Sequence, residues 1–263
     1  MRKGLDHFLP VLTERIPELA PLALRATALR PRPGTPTARD SSVGGPVLWP
    51  ADEPWPHCEQ PGHAVMGGET RPAGRVPLVP VVQLFARDVP ELRFPEGKDL
   101  LQLLWCTLIH PREQDAPLPA LHWRAEADVL ARGVLRDIPR PAEGEYEDEF
   151  LPTPPCTVSP VVSVDHPNQD LPEDLRARVL ELDQGFDRYP ELACVLETKA
   201  GGYPAWIQPP DWPVCDCGER MEHLLSVTGD EHVDMDMGDG GGVYVFLCRR
   251  CPGFPVAHRH DCH

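Results

Sequence analysis

Apolar residues along this chain gather into short runs divided by proline and glycine, and few of them hold one period for long. Leu5, Phe8, Leu9, Leu12, Ile16 and Leu19 fall at helical spacing, but Pro10, Pro17 and Pro21 interrupt it. Residues 5–29 therefore predict two or three short helices packed on a sheet. Residues 31–46 are rich in Pro, Gly, Ser and Thr and read as a loop. VPLVPVVQLFA (76–86) and LLQLLWCTLI (100–109) are short unbroken apolar runs, the pattern of buried strands. IPRPAEGEYEDEFLPTPP (138–155) mixes prolines with acids and predicts an exposed connection, followed by a strand at VVSV. The clearest helix is expected near 171–184, with Asp170 as N-cap, Glu173 at the capping-box position and Gly185 as the stop. Leu171, Leu175, Val179 and Leu182 would form its apolar stripe. Strands are expected again at 192–197, 222–228 and 242–248, which makes the fold class mainly β (α+β).

One pattern occurs twice. VGGPVLWPADEPWPHC (43–58) and AGGYPAWIQPPDWPVC (200–215) share Gly44/Gly201, Gly45/Gly202, Trp49/Trp206, Trp55/Trp212, Pro56/Pro213 and Cys58/Cys215 at a constant spacing of 157 residues. LLQLLWC (100–106) then aligns with GVYVFLC (242–248), pairing Cys106 with Cys248. An internal duplication follows as the expectation: a two-lobed β fold, with residues 1–150 and the N-terminal helices as one lobe and 151–263 as the other. In each copy glycine would turn the chain, tryptophan anchor it and proline set the approach to a cysteine.

Composition narrows the class. With 34 prolines in 263 residues, long helices cannot dominate. No apolar run is long enough to span a membrane, and Asp6, Pro10 and Glu14 break any secretory segment, so a cytoplasmic location is expected. The formal net charge of −16 opposes binding to a nucleic-acid backbone and suits solubility or a basic protein partner.

Nine cysteines in a reducing compartment read as metal ligands or buried apolar residues before disulfides. Cys215 and Cys217, then Cys248 and Cys251, flank a hairpin in the manner of a zinc ribbon, with Gly218 permitting the tight backbone. Their first pair is spaced C-x-C, and alternate residues of an extended segment can still face one ion. At the matching place in the first lobe, Cys58 is followed by His63 and Cys106 by His110, a candidate second zinc site for which His57 is a substitute ligand. Cys156 and Cys194 lack partner spacing and read as core. The tail HRHDCH (258–263) reads as a mobile end, and DEHVDMDMGDGGG (230–242) as an exposed acidic turn without the EF-hand spacing.

Signatures of catalysis are missing: no G-x-S-x-G, Walker loop, H-E-x-x-H or zinc-deaminase pattern is present. The segments from SSVGGPVLWPADEPWPHC through VYVFLC, about residues 42–250, resemble the YwqG-like family of uncharacterised bacterial proteins. The shared marks are the glycine pairs before tryptophan and proline, Gln83-Leu84, and the turn with Gly238, Asp239 and Gly241. That resemblance implies a duplicated, mainly β fold and no established reaction. The glycine pair and Pro204-Ala205-Trp206 before the cysteines are also similar to the programmed-cell-death-protein-2 group, which implies escort of a ribosomal protein. The expectation is a zinc-stabilised binder of a basic client, a chaperone or an immunity-type protein. The alternatives are an enzyme with a site built from scattered residues and a structural subunit of an assembly.

Overall fold

The computed structural model describes residues 8–65, 74–111, 116–183 and 188–262. Leu5, where the helical run was expected to start, and Gly185, the expected stop of the long helix, lie outside them. Strand outweighs helix by 33% to 17%, and the sheets are antiparallel, so the protein is mainly β.

Helix α1 (Phe8–Arg15) and a 3-10 segment (Pro17–Leu22) bury Leu12, Ile16 and Leu19, as the helical spacing predicts. No third helix follows. Leu24–Ala28 is strand β1, two residues before β2 (Pro31–Pro33), and β3 (Ser42–Val43) lies within the expected loop. Their short lengths, and the two prolines of β2, hide them from any period. β4 (His57–Cys58) and β5 (Val76–Pro77) form a small hairpin. The two long apolar runs become β6 (Val79–Phe85) and β7 (Leu100–His110), and β8 (Ala116–Arg124) pairs with β7. After α2 (Glu126–Ala131) come β9 (Cys156–Val158) and β10 (Val161–Asp165).

Helix α3 (Glu173–Asp183) is found where expected, but Asp170 does not cap it: its carboxylate accepts the Trp212 indole N–H at 2.8 Å. The strand expected at 192–197 is a correction. Helix α4 (Arg188–Ala193) occupies that region because Tyr189 and Ala193, one turn apart, pack against Leu12 and Val179. Asp183 starts it by accepting the backbone N–H groups of Arg188 and Tyr189, each at 2.9 Å. β11 (Lys199–Gly201), β12 (Glu222–Thr228), β13 (Gly242–Leu247) and β14 (Val256–Asp261) complete the chain. The tail expected to be mobile is thus an edge strand, tied to the body by Asp261, whose carboxylate accepts the N–H groups of Ile207 and Gln208.

The strands form two six-stranded sheets, β10-β1-β11-β12-β13-β14 and β2-β9-β3-β6-β7-β8. Each draws strands from both sides of residue 150. The chain crosses from the first sheet to the second between β1 and β2 and returns between β9 and β10, where Ser159 donates to the Leu29 carbonyl at 2.8 Å. A single apolar cluster takes Val81, Leu101, Leu103 and Trp105 from one sheet and Val227, Val243 and Val245 from the other. The segment 230–242 is not simply an exposed turn. Val233, Met235 and Met237 enter that cluster while Asp234 and Asp236 between them face solvent.

At Gly202 the need for glycine is direct. Its φ is +68°, and a Cβ there would stand 2.8 Å from Ala26 Cβ and collide with the Asp165 carboxylate. Gly201, Gly44 and Gly45 share the left-handed conformation.

Candidate metal centres

The first centre forms where β4 and β7 approach each other. Cys58 sits in β4, while Cys106 and His110 project from one face of β7. His63 is brought in by a two-way backbone bridge between Ala64 and Ile109, with both N···O distances at 3.0 Å. All four side chains are buried, His63 and Cys106 completely. Cys58 Sγ lies 3.2 Å from His63 Nε2 and 3.4 Å from His110 Nε2, and Cys106 Sγ lies 3.9 Å from His63 Nε2. A tetrahedral metal with bonds of about 2.3 Å to sulfur and about 2.05 Å to nitrogen requires sulfur–nitrogen edges of about 3.6 Å. The observed spacings bracket that edge, so the four side chains can receive one ion.

Supporting contacts hold the ligands in place. His110 Nδ1–H donates to the Ala116 carbonyl at 3.0 Å, which fixes the tautomer and leaves Nε2 free to coordinate. Trp55 packs beside Cys58 and Cys106 and donates its indole N–H to the Leu78 carbonyl at 2.9 Å. Trp49 packs at a tilt against Trp55, ring centroids 4.9 Å apart, and carries the Arg124 guanidinium over its ring. The Cys58 thiol falls far below its ordinary range, to about 3, first through the Cys106 hydrogen bond and then, against burial, through the two imidazoles. Cys106 moves the opposite way because Cys58 and burial keep its proton on. A divalent cation bound by both sulfurs would displace the protons they hold.

The second centre is built from two turns at one end of the β12–β13 hairpin. Residues 213–221 fold back on themselves: Cys215 N–H donates to the Glu219 carbonyl, Gly218 N–H to the Cys215 carbonyl and Met221 N–H to the Pro213 carbonyl. Cys215 and Cys217 therefore lie on a tight turn, not on the extended segment expected from their spacing. Gly218, at φ +83°, allows that turn. The facing turn runs from Cys248 to Pro255 and is closed by Cys248 N–H donating to the Pro255 carbonyl. Cys215–Cys251 and Cys217–Cys248 sulfur separations are both 3.7 Å. A tetrahedron of four thiolates has edges of about 3.8 Å, whereas a disulfide would need about 2.05 Å. The geometry is that of a four-sulfur cage. Burial raises the Cys248 thiol, but N–H groups of Cys251 and Arg250 and the adjacent sulfurs bring it down to about 7. Cys251 is pushed up to about 12, first by Cys217 and then by Cys215.

The centres differ in access: Cys217 is exposed and Cys251 half-buried, while the first centre is closed to solvent. Every residue expected in either set is brought to it. His57 is not, because its ring turns to the Trp55 carbonyl, 2.8 Å from Nδ1. Cys156 and Cys194 are buried in the core. What the sequence does not single out is a buried ion pair, Lys199 with Asp165 at 2.5 Å, both side chains wholly inaccessible. His223 lies against it, held near 3 by burial and then by the Lys199 charge.

No protein-family model matches the chain, and no curated protein matches its sequence. Two buried or partly buried Cys/His cages able to hold metal ions are therefore the functional features on which any assignment rests.

Proposed function

We propose that the protein is a zinc-stabilised binding module with two structural zinc ions, one associated with each sheet, and that its acidic surface selects a basic protein client. The observation that carries this reading is the pair of complete four-ligand cages. Sulfur and imidazole ligands in tetrahedral array suit zinc over magnesium or calcium, which take oxygen. Four protein ligands leave no coordination position for substrate, which makes the ions structural. Free thiols at both cages suit a reducing cytoplasm. Among the described residues no helix is long and apolar enough to cross a membrane.

The net charge of −16 would draw a basic client by long-range attraction, as a chaperone or an immunity-type binder requires. Membership of the YwqG-like family and an internal duplication belong to the same reading. They are supported by the paired glycine–tryptophan–cysteine segments and by the like order of β3-β6-β7-β8 and β11-β12-β13-β14. A structural-subunit role has one observation in its favour: the edge strand β10 exposes Val161, Val162 and Val164. A monomer by light scattering across the micromolar range would remove that second reading.

Metal analysis of protein purified without added zinc tests the first part. About two equivalents of zinc per chain are expected, and no bound metal with four reactive thiols at the second cage would overturn the reading. Affinity capture from native cytoplasm tests the second part. A basic protein should be retained at low salt and released as salt rises; no basic protein retained at low salt would overturn that part.

A further inference from the structure

A cavity of about 630 Å3 opens beside the Gly44–Gly45 turn, well within the range of small-molecule sites. Pro46, Val79 and Pro80 form one wall, and Pro139, Leu151 and Pro152 the other. The second wall belongs to the connection 138–155, which is anchored at several points. Glu147 N–H donates to the Thr107 carbonyl at 3.2 Å, next to Cys106, and the Trp105 indole donates to the Phe150 carbonyl at 2.8 Å. Thr153 N–H donates to the Val233 carbonyl at 2.9 Å. Proline rings on both sides fix the backbone further, so the space is formed before any ligand arrives. Gly44 helps to shape it, since a Cβ there would stand 2.8 Å from the Pro152 carbonyl oxygen.

The polar groups of the cavity are unusual for this protein. Arg25, Arg39, Arg87, Arg124, Arg132 and Arg178 each face a carboxylate. Arg136 and Arg140, which both line the cavity mouth and are exposed, face no carboxylate among the described residues. In a chain with 41 acidic and 25 basic residues, two arginines without a carboxylate at the mouth of one partly apolar cavity mark a place where negative charge is wanted. Asp137 also lines the cavity, but it is shared with the neighbouring depression of Asp52 and Glu53, and the balance at the opening stays one charge positive. Tyr146 adds a ring and a hydroxyl.

We propose that this cavity binds a small organic anion, a flat apolar body ending in a carboxylate or phosphate that Arg136 and Arg140 receive. The proline and tyrosine rings supply flat faces for the body, and the guanidinium groups supply bidentate donors for the anionic end. Inorganic phosphate would leave the apolar walls bare and bind more weakly. A cation of the same shape would meet the arginines and be refused.

Amide chemical shifts of the zinc-loaded full chain, titrated separately with phenyl phosphate, benzoate, inorganic phosphate and benzylamine, test this. Phenyl phosphate and benzoate should give saturable shifts at Gly44, Tyr146 and Leu151, inorganic phosphate weaker ones and benzylamine none. The double variant Arg136→Gln/Arg140→Gln should weaken phenyl phosphate by about tenfold or more, with its other amides unmoved. Benzylamine binding as tightly as benzoate, a double variant within about twofold of the wild type, or no saturable shift with either aromatic anion would each overturn the proposal. Inorganic phosphate matching phenyl phosphate would overturn its apolar half. Should the double variant fail to fold, the benzoate and benzylamine titrations of the unaltered protein decide alone.

Discussion

Replacing Lys199 with methionine removes a charge from the interior while keeping most of the side-chain volume. Lys199 Nζ stands 2.5 Å from Asp165 Oδ2, and neither side chain reaches solvent. The carboxylate would be left with two backbone donors, Val195 and Tyr203, both at 3.2 Å and so at the long end of hydrogen bonding. It could not turn to water, because Gly202 and Ala26 close its other side. Breaking one partner out of a buried pair costs about 3–5 kcal/mol, and the poor remaining donors favour the upper part of that range. In a domain of this size such a loss lowers the melting temperature by roughly 5–9 °C. The assay is urea unfolding at fixed zinc and neutral pH, followed by tryptophan fluorescence, with Lys199→Met compared against the unaltered chain. A destabilisation below about 1 kcal/mol would refute the argument that the pair is mutually dependent in a dry interior.

Cys248→Ser and Cys106→Ser should each lower bound zinc from about two equivalents to about one, and the double variant should bind almost none, as metal analysis would show. Loss of both equivalents from either single variant would mean that the cages are not independent. His223 is neutral in the fold, held near 3 against an unfolded value of 6.5, so the unfolded chain binds its proton first. Its stability contribution is present above pH 6.5 and is lost as pH falls toward 3, by about 2 kcal/mol at pH 5; His223→Gln should flatten that limb of the wild-type curve in urea titrations. Two glycine substitutions should rank by space as well as by backbone angle: Gly202→Ala should cost at least about 2 kcal/mol through collision with Asp165, and Gly218→Ala, which meets nothing, about 1 kcal/mol. Equal losses in the two would contradict the close approach at Gly202.

Legibility in the sequence followed burial and chemical rarity. β6, β7, β12 and β13 are buried along nearly their whole length, so each stands out as an apolar run. β8 and β14 are edge strands, one carrying Pro117 and Pro119 and the other reading VAHRHD, and an edge can be half-wet and irregular without penalty. β1 is five residues beside a proline-rich segment, with Ala as its main buried type, and no period can reveal it. The metal cages were readable because cysteine and histidine are few and the repeated segment fixes which of them correspond. Lys199 and Asp165 were not, since no spacing rule or repeated segment marks two residues 34 positions apart as partners. The proline-rich connection at 138–155 reads as a simple exposed link because its anchors join its own backbone to Trp105, Thr107 and Val233, which composition does not record.

The crossing of β1–β2 and β9–β10 between the sheets also constrains the order in which the chain can mature on the ribosome. β1 gains its sheet neighbour β11 only after residue 199 has been synthesised, and β3, which can pair with β6 earlier, meets its other neighbour β9 only at 156–158. Neither sheet can therefore close early, and the emerging chain carries open strand edges until those partners appear. Such long-range pairing slows folding, and it separates the two candidate metal cages in time: the ligands of one, Cys58 to His110, are all made before β9 and β11, and those of the other, Cys215 to Cys251, only after them.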